Sequence, residues 1–448
     1  MGKLFGTDGI RGVANRYPLD IETAMAVGKA VAFHFKGSRH SSPHIVIGQD
    51  TRRSGDMIAQ AVAAGICSAG VDVSLLGILP TPGIAHMAKE TGAVGGIVIS
   101  ASHNPYEDNG IKVFDGEGYK LSDGAEEKIE TLVLGGDQFQ VASSDGIGRV
   151  RNVEAPCDRY IDFLKLAANP SKLNDLTIVL DCANGATYEV APALFEQLGA
   201  QVIPLFCSPD GTNINAGCGS QHPESLAQTV VDQNADIGLA FDGDGDRLIA
   251  VDETGNVLTG DQIMAICAKD LMGRGKLSNN LVVSTVMSNL GFGAALKEMG
   301  VKLSSSQVGD RHVMEMMKAQ GAIVGGEDSG HLIFLDVHTT GDGLMAGLRV
   351  LEAMKSAQQP LSKLAEVMTV FPQVLINVDV RSKPELESLP GVCEMIAEVE
   401  RKLADRGRVL VRYSGTQNMC RVMVEGPTKE ETEAYCRQIA DKVQESIG

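Results

Sequence analysis

The order of predicted secondary structure repeats three times along this chain of 448 residues, and this repeat limits the folds that the chain can adopt. The three copies begin with the apolar runs 45–48, 176–180 and 281–283. Each run predicts a buried strand, followed by a polar turn, a helix, a second strand, a second helix and a third strand. The repeat has a period of roughly 100–140 residues, so it predicts three similar α/β domains and not a solenoid.

The third predicted strand of each copy ends in a loop of chemically active side chains. Residues 100–105 read Ser-Ala-Ser-His-Asn-Pro, residues 242–247 read Asp-Gly-Asp-Gly-Asp-Arg, and residues 326–331 read Gly-Glu-Asp-Ser-Gly-His. Open α/β sheets bind ligands at the carboxyl ends of their strands. We therefore expect these three loops to carry functional groups.

The C-terminal part of the chain follows a different pattern. A strand at 374–380, a helix at 392–403, strands at 408–412 and 421–425 and a helix at 430–443 predict a small α+β domain. The predicted fold class is therefore α/β, with three similar α/β domains and a C-terminal α+β domain. The predicted boundaries are 1–153 for domain I, 154–256 for domain II, 257–369 for domain III and 370–448 for domain IV.

Composition argues against several classes of partner. A net charge of −18 argues against a broad nucleic-acid-binding face, and an aromatic content of 4% without Trp argues against stacking surfaces for single strands. The nine cysteines show no C-x-x-C spacing, so neither a zinc site nor a redox pair is expected. The N-terminus does not read as a signal peptide, and no apolar run is long enough for a membrane span. We therefore expect a cytoplasmic protein with no nucleic-acid or membrane partner.

Three aspartates alternate with glycines in the second loop. In extended backbone, Asp242, Asp244 and Asp246 would lie on one side, where they repel one another unless a cation lies among them. Carboxylate oxygens favour Mg²⁺ or Ca²⁺ over zinc. One alternative is a calcium EF-hand, but that motif requires glycine where Arg247 stands and helices where strands are predicted. A second alternative is a phosphatase with Asp242 as its nucleophile.

Ser102, in the first loop, is the candidate for carrying a phosphoryl group, because a serine at a strand end can be a nucleophile or a phosphate carrier. We do not expect Ser102 and His103 to act as a nucleophile and its base, because adjacent side chains near a strand end point in different directions. The G-x-S-x-G pattern of hydrolases is absent. A phosphorylated Ser102 would add oxygen ligands to a metal held by three aspartates. The alternative is an ordinary polar turn.

The predicted hairpin of domain IV presents groups that bind anions. Its loop runs from Ser414 to Asn418 and is flanked by Arg412 and Arg421. Two guanidiniums, two hydroxyls and backbone N–H groups suit a phosphate dianion. The alternative is a polar hairpin tip with solvated arginines.

Together these motifs resemble those of the α-D-phosphohexomutase superfamily, over essentially the whole chain. The matching segments are Phe5 to Gly12, Ser100 to Pro105, Asp242 to Arg247, Gly326 to His331 and Arg412 to Glu425. The N-terminal segment and the length of the chain are similar to those of the branch that acts on glucosamine phosphates. The chain departs from the family pattern where Ser100 replaces Thr, and where Tyr413, Gln417 and Asn418 replace Pro, Glu and Pro.

The resemblance implies domains with mixed sheets around a central cleft, one Mg²⁺ per chain and phosphorylation of Ser102. The implied metal ligands are Ser102, Asp242, Asp244 and Asp246. The implied catalytic residues are Ser102, His103, Lys112 and Arg11, with Lys112 and His103 as alternative bases. The implied substrate-binding residues are Arg247, Glu327, Ser329, His331, Arg412, Ser414, Gly415, Thr416 and Arg421.

The resemblance also implies a reaction. It is the interconversion of glucosamine 6-phosphate and glucosamine 1-phosphate through a phosphoserine enzyme and a bisphosphorylated sugar, which feeds amino-sugar nucleotide and cell-wall precursor synthesis. The expected partner is a phosphorylated amino sugar, and both a monomer and a homodimer remain open. The alternatives are a phosphoglucomutase or phosphomannomutase and, more distantly, a non-catalytic phosphosugar sensor.

Overall fold

The computed structural model describes residues 4–6, 8–36, 43–136, 141–168, 172–414 and 418–448. The chain divides into two compact units. Unit 1 comprises Met1–Val286 and Lys302–Glu366, and unit 2 comprises Met287–Val301 and Val367–Gly448. The described residues form four β-sheets, of which three lie in unit 1 and one in unit 2.

The first sheet of unit 1 has seven strands. They are β1 (Phe5–Gly6), β2 (Gly9–Val13), β3 (His44–Gln49), β4 (Asp72–Ile78), β5 (Gly95–Ile99), β6 (Asp108–Asp115) and β7 (Val150–Asn152). The accompanying helices are α1 (Ile21–Phe35), α2 (Gly55–Ser68), α3 (Thr81–Glu90) and α4 (Asp123–Leu134). The order of the strands is β1-β2-β6-β5-β3-β4-β7. Every residue of β5 is buried, as its apolar sequence predicts for a central strand.

The second sheet of unit 1 has five strands in the order β12-β11-β10-β8-β9. These strands are β8 (Thr177–Asp181), β9 (Gln201–Leu205), β10 (Ile237–Phe241), β11 (Leu248–Asp252) and β12 (Val257–Leu258). The helices of this region are α5 (Pro156–Ala168), α6 (Val190–Gln197) and α7 (Glu224–Asp232).

The third sheet of unit 1 has four strands in the order β14-β13-β15-β16. These strands are β13 (Leu281–Thr285), β14 (Lys302–Ser306), β15 (Val324–Gly326) and β16 (Leu332–Phe334). The helices of unit 1 in this region are α8 (Gly260–Gly273), α10 (Asp310–Gln320), α11 (Gly343–Ala357) and α12 (Leu361–Ala365).

The predicted threefold repeat is confirmed by the strand topology. The four-strand cores β6-β5-β3-β4, β11-β10-β8-β9 and β16-β15-β13-β14 share one order. Counted in the order of the sequence, the first strand of each core (β3, β8 or β13) pairs in parallel with the second and third strands. The third strand pairs antiparallel with the fourth. The three predicted functional loops therefore occupy equivalent positions, between the third and fourth strands of each copy.

Unit 2 contains the predicted C-terminal α+β fold. Its antiparallel sheet has the order β17-β19-β18, formed by β17 (Gln373–Asp379), β18 (Arg408–Tyr413) and β19 (Met419–Glu425). Its helices are α9 (Leu290–Glu298), α13 (Pro390–Leu403) and α14 (Lys429–Ile447). Apolar residues of β19, including Val422 and Val424, pack with Cys436 and Ile439 of α14 in the core.

Short 3₁₀ segments at Gly219–Gln221, Ser278–Asn280, Leu386–Ser388 and Ala404–Arg406 complete the described helices of the chain.

None of the described helices combines the length and the apolar character that a membrane crossing would require. The structure therefore offers no helical membrane span within the described residues.

Candidate active site

Ser102 is the buried centre of the first loop, directly after β5. Its φ of +53° turns the backbone away from the strand direction, and its Oγ donates a 2.5 Å hydrogen bond to Oδ2 of Asp242. The same Oγ lies 3.3 Å from Nδ1 of His103. Our expectation that Ser102 and His103 point apart is therefore wrong, because the left-handed residue ends the alternation that an extended strand would impose.

A network that the sequence analysis did not identify fixes the Ser102 loop. The backbone N–H of Ser102 donates to Oγ of Ser100 at 2.9 Å, and that hydroxyl donates to Asp50 at 2.5 Å. Arg52 pairs with Asp50 and donates to the carbonyls of Ser102 and Asn104 at 2.9 and 2.8 Å. The signal for these two residues was the polar turn that follows the apolar run 45–48.

The second loop brings the three aspartates together through a turn. Oxygens of Asp242, Asp244 and Asp246 all lie within 4.8 Å of one another, and the three residues are buried. The backbone N–H of Gly245 donates to the carbonyl of Asp242 at 3.0 Å, so a turn and not an extended strand accounts for the convergence. The flanking elements are β10 and β11, which makes the EF-hand alternative wrong.

The donor set fits a hard divalent cation. Oδ1 of Asp244 and Oδ1 of Asp246 are buried and have no hydrogen-bond partner among the described residues. Burial, followed by the charges of Asp246 and Asp244, raises the pKa of Asp242 well above its usual value. A bound cation relieves both conditions, because it accepts oxygen ligands and offsets the like charges. The three aspartates thus form a site that can hold a metal ion such as Mg²⁺.

The metal loop and the Ser102 loop approach each other closely at Gly243. A Cβ atom added to Gly243 would lie 2.6 Å from the carbonyl oxygen of Ser102, which is too close for any side chain. Asn215 lies in the same region and donates to that carbonyl at 2.9 Å. The glycine at position 243 is therefore required for the contact between Ser102 and Asp242.

Lys112, on β6, is buried beside the metal loop. Its Nζ lies 2.9 Å from Asp244, 3.0 Å from Asp8 and 3.8 Å from Asp246. Burial alone would lower the pKa of Lys112, but the charges of Asp244, Asp8 and Asp246 outweigh burial and raise the pKa above its usual value. In this arrangement Lys112 is a cation that partly offsets the acidic cluster.

Two arginines and His103 surround the same space. Nε of Arg11 and Nε of Arg247 are buried, and neither forms a hydrogen bond with the described residues. The backbone N–H of Arg247 donates to Asp242 at 3.2 Å. Burial, followed by the charges of Arg247 and Arg11, lowers the pKa of His103 to about 4, so its imidazole is neutral at pH 7. These donors suit an anion held near Ser102.

The third loop meets the metal loop through backbone pairing. Arg247 and His331 form an isolated antiparallel bridge, and Nδ1 of His331 lies 3.6 Å from Asp246. Burial would lower the pKa of His331, but the Asp246 carboxylate outweighs it and raises the pKa. Glu327 is half-buried and accepts a 3.0 Å hydrogen bond from the backbone N–H of Gly309, whereas Ser329 is exposed.

Unit 2 holds the predicted arginine pair on neighbouring strands. Arg412 on β18 and Arg421 on β19 are directly opposite each other in the register. Burial, followed by the charge of Arg421, lowers the pKa of Arg412, and Nε of Arg421 is buried without a hydrogen-bond partner among the described residues. Lys383, which the sequence analysis missed, donates to the carbonyl of Ser414 at 2.7 Å. The predicted residues Gly415 and Thr416 lie outside the described residues.

Comparison with known proteins identifies the same four regions. Family models described as phosphoglucomutase/phosphomannomutase alpha/beta/alpha domains I, II and III match residues 2–139, 158–255 and 259–371. The model of the C-terminal domain of the same family matches residues 375–442.

Full-length relatives agree with this result. The chain is 56% identical over 451 residues to a phosphoglucosamine mutase of Syntrophus aciditrophicus, and the alignment covers 100% of both chains. A phosphoglucomutase/phosphomannomutase family protein of Burkholderia thailandensis has the same fold, with a TM-score of 0.80 at 24% identity over 100% of this chain and 98% of that one. For an Aspergillus fumigatus N-acetylphosphoglucosamine mutase, solved with GlcNAc-6P and magnesium, the TM-score is 0.69 at 16% identity, over 100% of this chain and 96% of that one. The chain therefore belongs to the phosphoglucomutase/phosphomannomutase family of phosphohexomutases.

Proposed function

We propose that the chain is a phosphoglucosamine mutase, which interconverts glucosamine 6-phosphate and glucosamine 1-phosphate through phosphorylated Ser102. One observation carries the assignment of Ser102. Its hydroxyl is hydrogen-bonded to Asp242 within the buried acidic triplet, while Nε of Arg11 and Nε of Arg247 lack hydrogen-bond partners among the described residues. The full-length identity to enzymes of this name supports the choice of substrate.

The proposed reaction comprises two transfers, in which two different phosphoryl groups move. In the first transfer the bond between phosphorus and Oγ of Ser102 breaks, and a bond from phosphorus to O1 of the sugar forms. The sugar hydroxyl loses its proton to a base, and of the two predicted candidates the neutral His103 suits this role, whereas the acidic cluster keeps Lys112 a cation. The resulting bisphosphate turns end for end, and Ser102 accepts the 6-phosphoryl group. Ser102 is thus phosphorylated again, and glucosamine 1-phosphate is released.

The acidic triplet would hold the metal in this scheme. Asp242, Asp244 and Asp246 supply carboxylate oxygens, and a phosphorylated Ser102 would supply a further ligand. Mg²⁺ would neutralise charge on the transferring phosphoryl group when it is bound. The guanidiniums of Arg11 and Arg247 would donate hydrogen bonds to the phosphoryl oxygens, since both have an uncommitted N–H group.

Substrate binding is assigned to two further sets of residues. We propose that Glu327, Ser329 and His331 bind the sugar, because they follow β15 at the position equivalent to the Ser102 loop. Arg412, Ser414 and Arg421 are proposed to bind a phosphate group, together with Gly415 and Thr416. The opposed guanidiniums of Arg412 and Arg421 support this role, because an anion would remove their mutual repulsion.

Two measurements test the proposal. The intact mass of the purified chain should exceed the sequence mass by one phosphoryl group in part of the molecules, and Ser102→Ala should lose this excess. Turnover should be compared on the 1-phosphates of glucosamine, glucose and mannose, with glucosamine expected to give the highest kcat/KM. A higher kcat/KM on glucose or mannose 1-phosphate would instead identify a phosphoglucomutase or phosphomannomutase. Binding without turnover on all three would identify a phosphosugar sensor.

A further inference from the structure

Five charged side chains and His331 form a closed ring in unit 1 that the proposed function does not account for. The members in order are Asp8, Lys112, Asp246, His331, Asp310 and Lys120. The spacings are 3.0 Å from Asp8 to Lys112, 3.8 Å from Lys112 to Asp246, 3.6 Å from Asp246 to His331 and 3.8 Å from His331 to Asp310. Lys120 closes the ring with ion pairs to both Asp310 and Asp8.

The ring joins all three copies of the α/β repeat. Asp8 precedes β2, Lys112 lies on β6, and Lys120 follows β6. Asp246 belongs to the metal loop, whereas His331 and Asp310 belong to the third copy. The side chain of Lys120 is 13% exposed and that of Asp310 is 16% exposed, so solvent and salt screen this pair less than an exposed one. The ring therefore couples loops that come from distant parts of the sequence.

We infer that Lys120 and Asp310 are positioning residues, which act on phosphoryl transfer by fixing Asp8, Lys112 and His331. This inference rests on the proposed function. Asp8 divides its carboxylate between Lys120 on Oδ1 and Lys112 on Oδ2, and Oδ2 also pairs with Arg11. Without Lys120, Asp8 has only Lys112 and Arg11 as cationic partners in the described site. Asp8 would then compete more strongly with Asp244 for Lys112.

Loss of Asp310 affects the ring from its other side. Lys120 would keep Asp8 as its partner but would lose the carboxylate that lies between it and His331. With one of its two carboxylate partners gone, Lys120 shifts toward Asp8, and His331 loses the carboxylate that lies 3.8 Å from its Nε2. Both losses therefore displace groups that contact the metal loop, although neither Lys120 nor Asp310 touches Ser102.

The test is a double-mutant cycle on the full chain with glucosamine 6-phosphate as substrate. Lys120→Gln and Asp310→Asn should each lower kcat at least tenfold, with KM changed less than threefold. The kcat of the double variant should be no more than twofold below that of the less active single variant, because each change opens the same ring. Lys120→Arg should retain at least a third of the wild-type kcat.

Lys355→Gln is the matched control, because Lys355 forms an ion pair with the exposed Asp175 away from the site, and it should leave kcat unchanged. Thermal unfolding of all variants gives a readout that does not depend on activity. The fall in Tm of the double variant should be smaller than the sum for the single variants.

Single variants with kcat within twofold of wild type would overturn the inference, as would a loss in the double variant equal to the product of the single losses. Additive shifts in Tm would show that the two residues are not coupled. Failure of the wild type and of Lys355→Gln to turn over glucosamine 6-phosphate would instead refute the proposed function, and the Tm cycle would still test the ring.

Discussion

The backbone N–H of Leu248 donates a 3.0 Å hydrogen bond to the carbonyl of Gly330, and this bond joins the start of β11, directly after the metal loop, to the third loop. Gly330 has a φ of +92°, and a Cβ atom at this position would lie 2.3 Å from the carbonyl oxygen of Leu248. The contact therefore depends on the absence of a side chain at position 330. It also explains how two loops from different sheets keep a common register.

We predict that Gly330→Ala lowers kcat/KM at least tenfold and destabilises the fold. A positive φ alone costs about 1–2 kcal/mol for alanine, and the contact with Leu248 adds to that cost. Gly275→Ala is the matched control, because Gly275 has a φ of +66° but nothing within 4 Å of its Cβ position. It should be destabilised by about 1 kcal/mol and remain active. Equal activity of the two variants in a kinetic assay would contradict the role of this contact.

Removal of one metal-loop carboxylate should weaken metal binding. In Asp246→Asn the concentration of Mg²⁺ for half-maximal activity should rise at least tenfold, because a neutral amide replaces a charged oxygen ligand. Asp210→Asn provides the control, since Asp210 lies in an exposed turn of the same region and contacts Thr212. Chelation with EDTA should abolish wild-type turnover, and added Mg²⁺ should restore it. A wild-type enzyme that turns over fully in EDTA would rule out a metal requirement.

The arginine pair of unit 2 predicts opposite effects on stability and on binding. Arg412→Gln should raise KM for the sugar phosphate at least tenfold, because one phosphate donor is lost. The same change should raise the free energy of unfolding by a few tenths of a kcal/mol, because like charges directly opposite on neighbouring strands repel each other. Arg437→Gln on the exposed face of α14 is the control for both measurements. A variant with lowered stability and unchanged KM would contradict the phosphate-binding role.

We predict that the folded protein loses stability in mild acid because of the buried His338. Its Nε2 lies 3.0 Å from the carbonyl of Pro82, and its Nδ1 accepts from the backbone N–H of Thr339 at 2.7 Å, an arrangement that fits a neutral ring. Burial, followed by His86, lowers the pKa of His338 to about 3. Since the unfolded chain binds this proton near pH 6.5, stability falls as the pH drops from 6.5 toward 3, by about 1.4 kcal/mol per pH unit.

Urea unfolding at pH 7.5, 6.0 and 5.0 checks this prediction against His338→Gln. The variant carries no titratable group at this position, so its free energy of unfolding should fall less between pH 7.5 and pH 5.0 than that of the wild type. Parallel pH profiles for the two proteins would show that His338 does not titrate on unfolding.

Much of the fold was predictable because short apolar runs mark the buried strands. The runs that predict β3, β5, β8, β10 and β13 contain few polar residues, and the structure confirms each as a strand. The loops after β5, β10 and β15 were predictable for the same reason, since a polar group directly after a buried strand lies at the edge of the sheet.

Other features depend on contacts that no local pattern encodes. The left-handed Ser102 and the turn that gathers the aspartates are set by the packing of one loop against another. Lys120 pairs with Asp8 and Asp310, which lie 112 and 190 positions away from it along the chain. Neither partner is therefore visible in the sequence around Lys120. Ring closure of this kind is a property of the tertiary structure alone.

The position of Lys112 has a consequence for how the protein is made. Its ammonium group is buried on β6, yet its partner Asp244 follows 132 residues later in the chain. During synthesis the N-terminal domain leaves the ribosome before that carboxylate exists, and domains generally begin to fold in this order. Within the first domain the Lys112 ammonium has Asp8 as its partner, and Asp244 and Asp246 are added when the second domain is made. Formation of the acidic loop and completion of the ion pairs of Lys112 are, in this respect, one event.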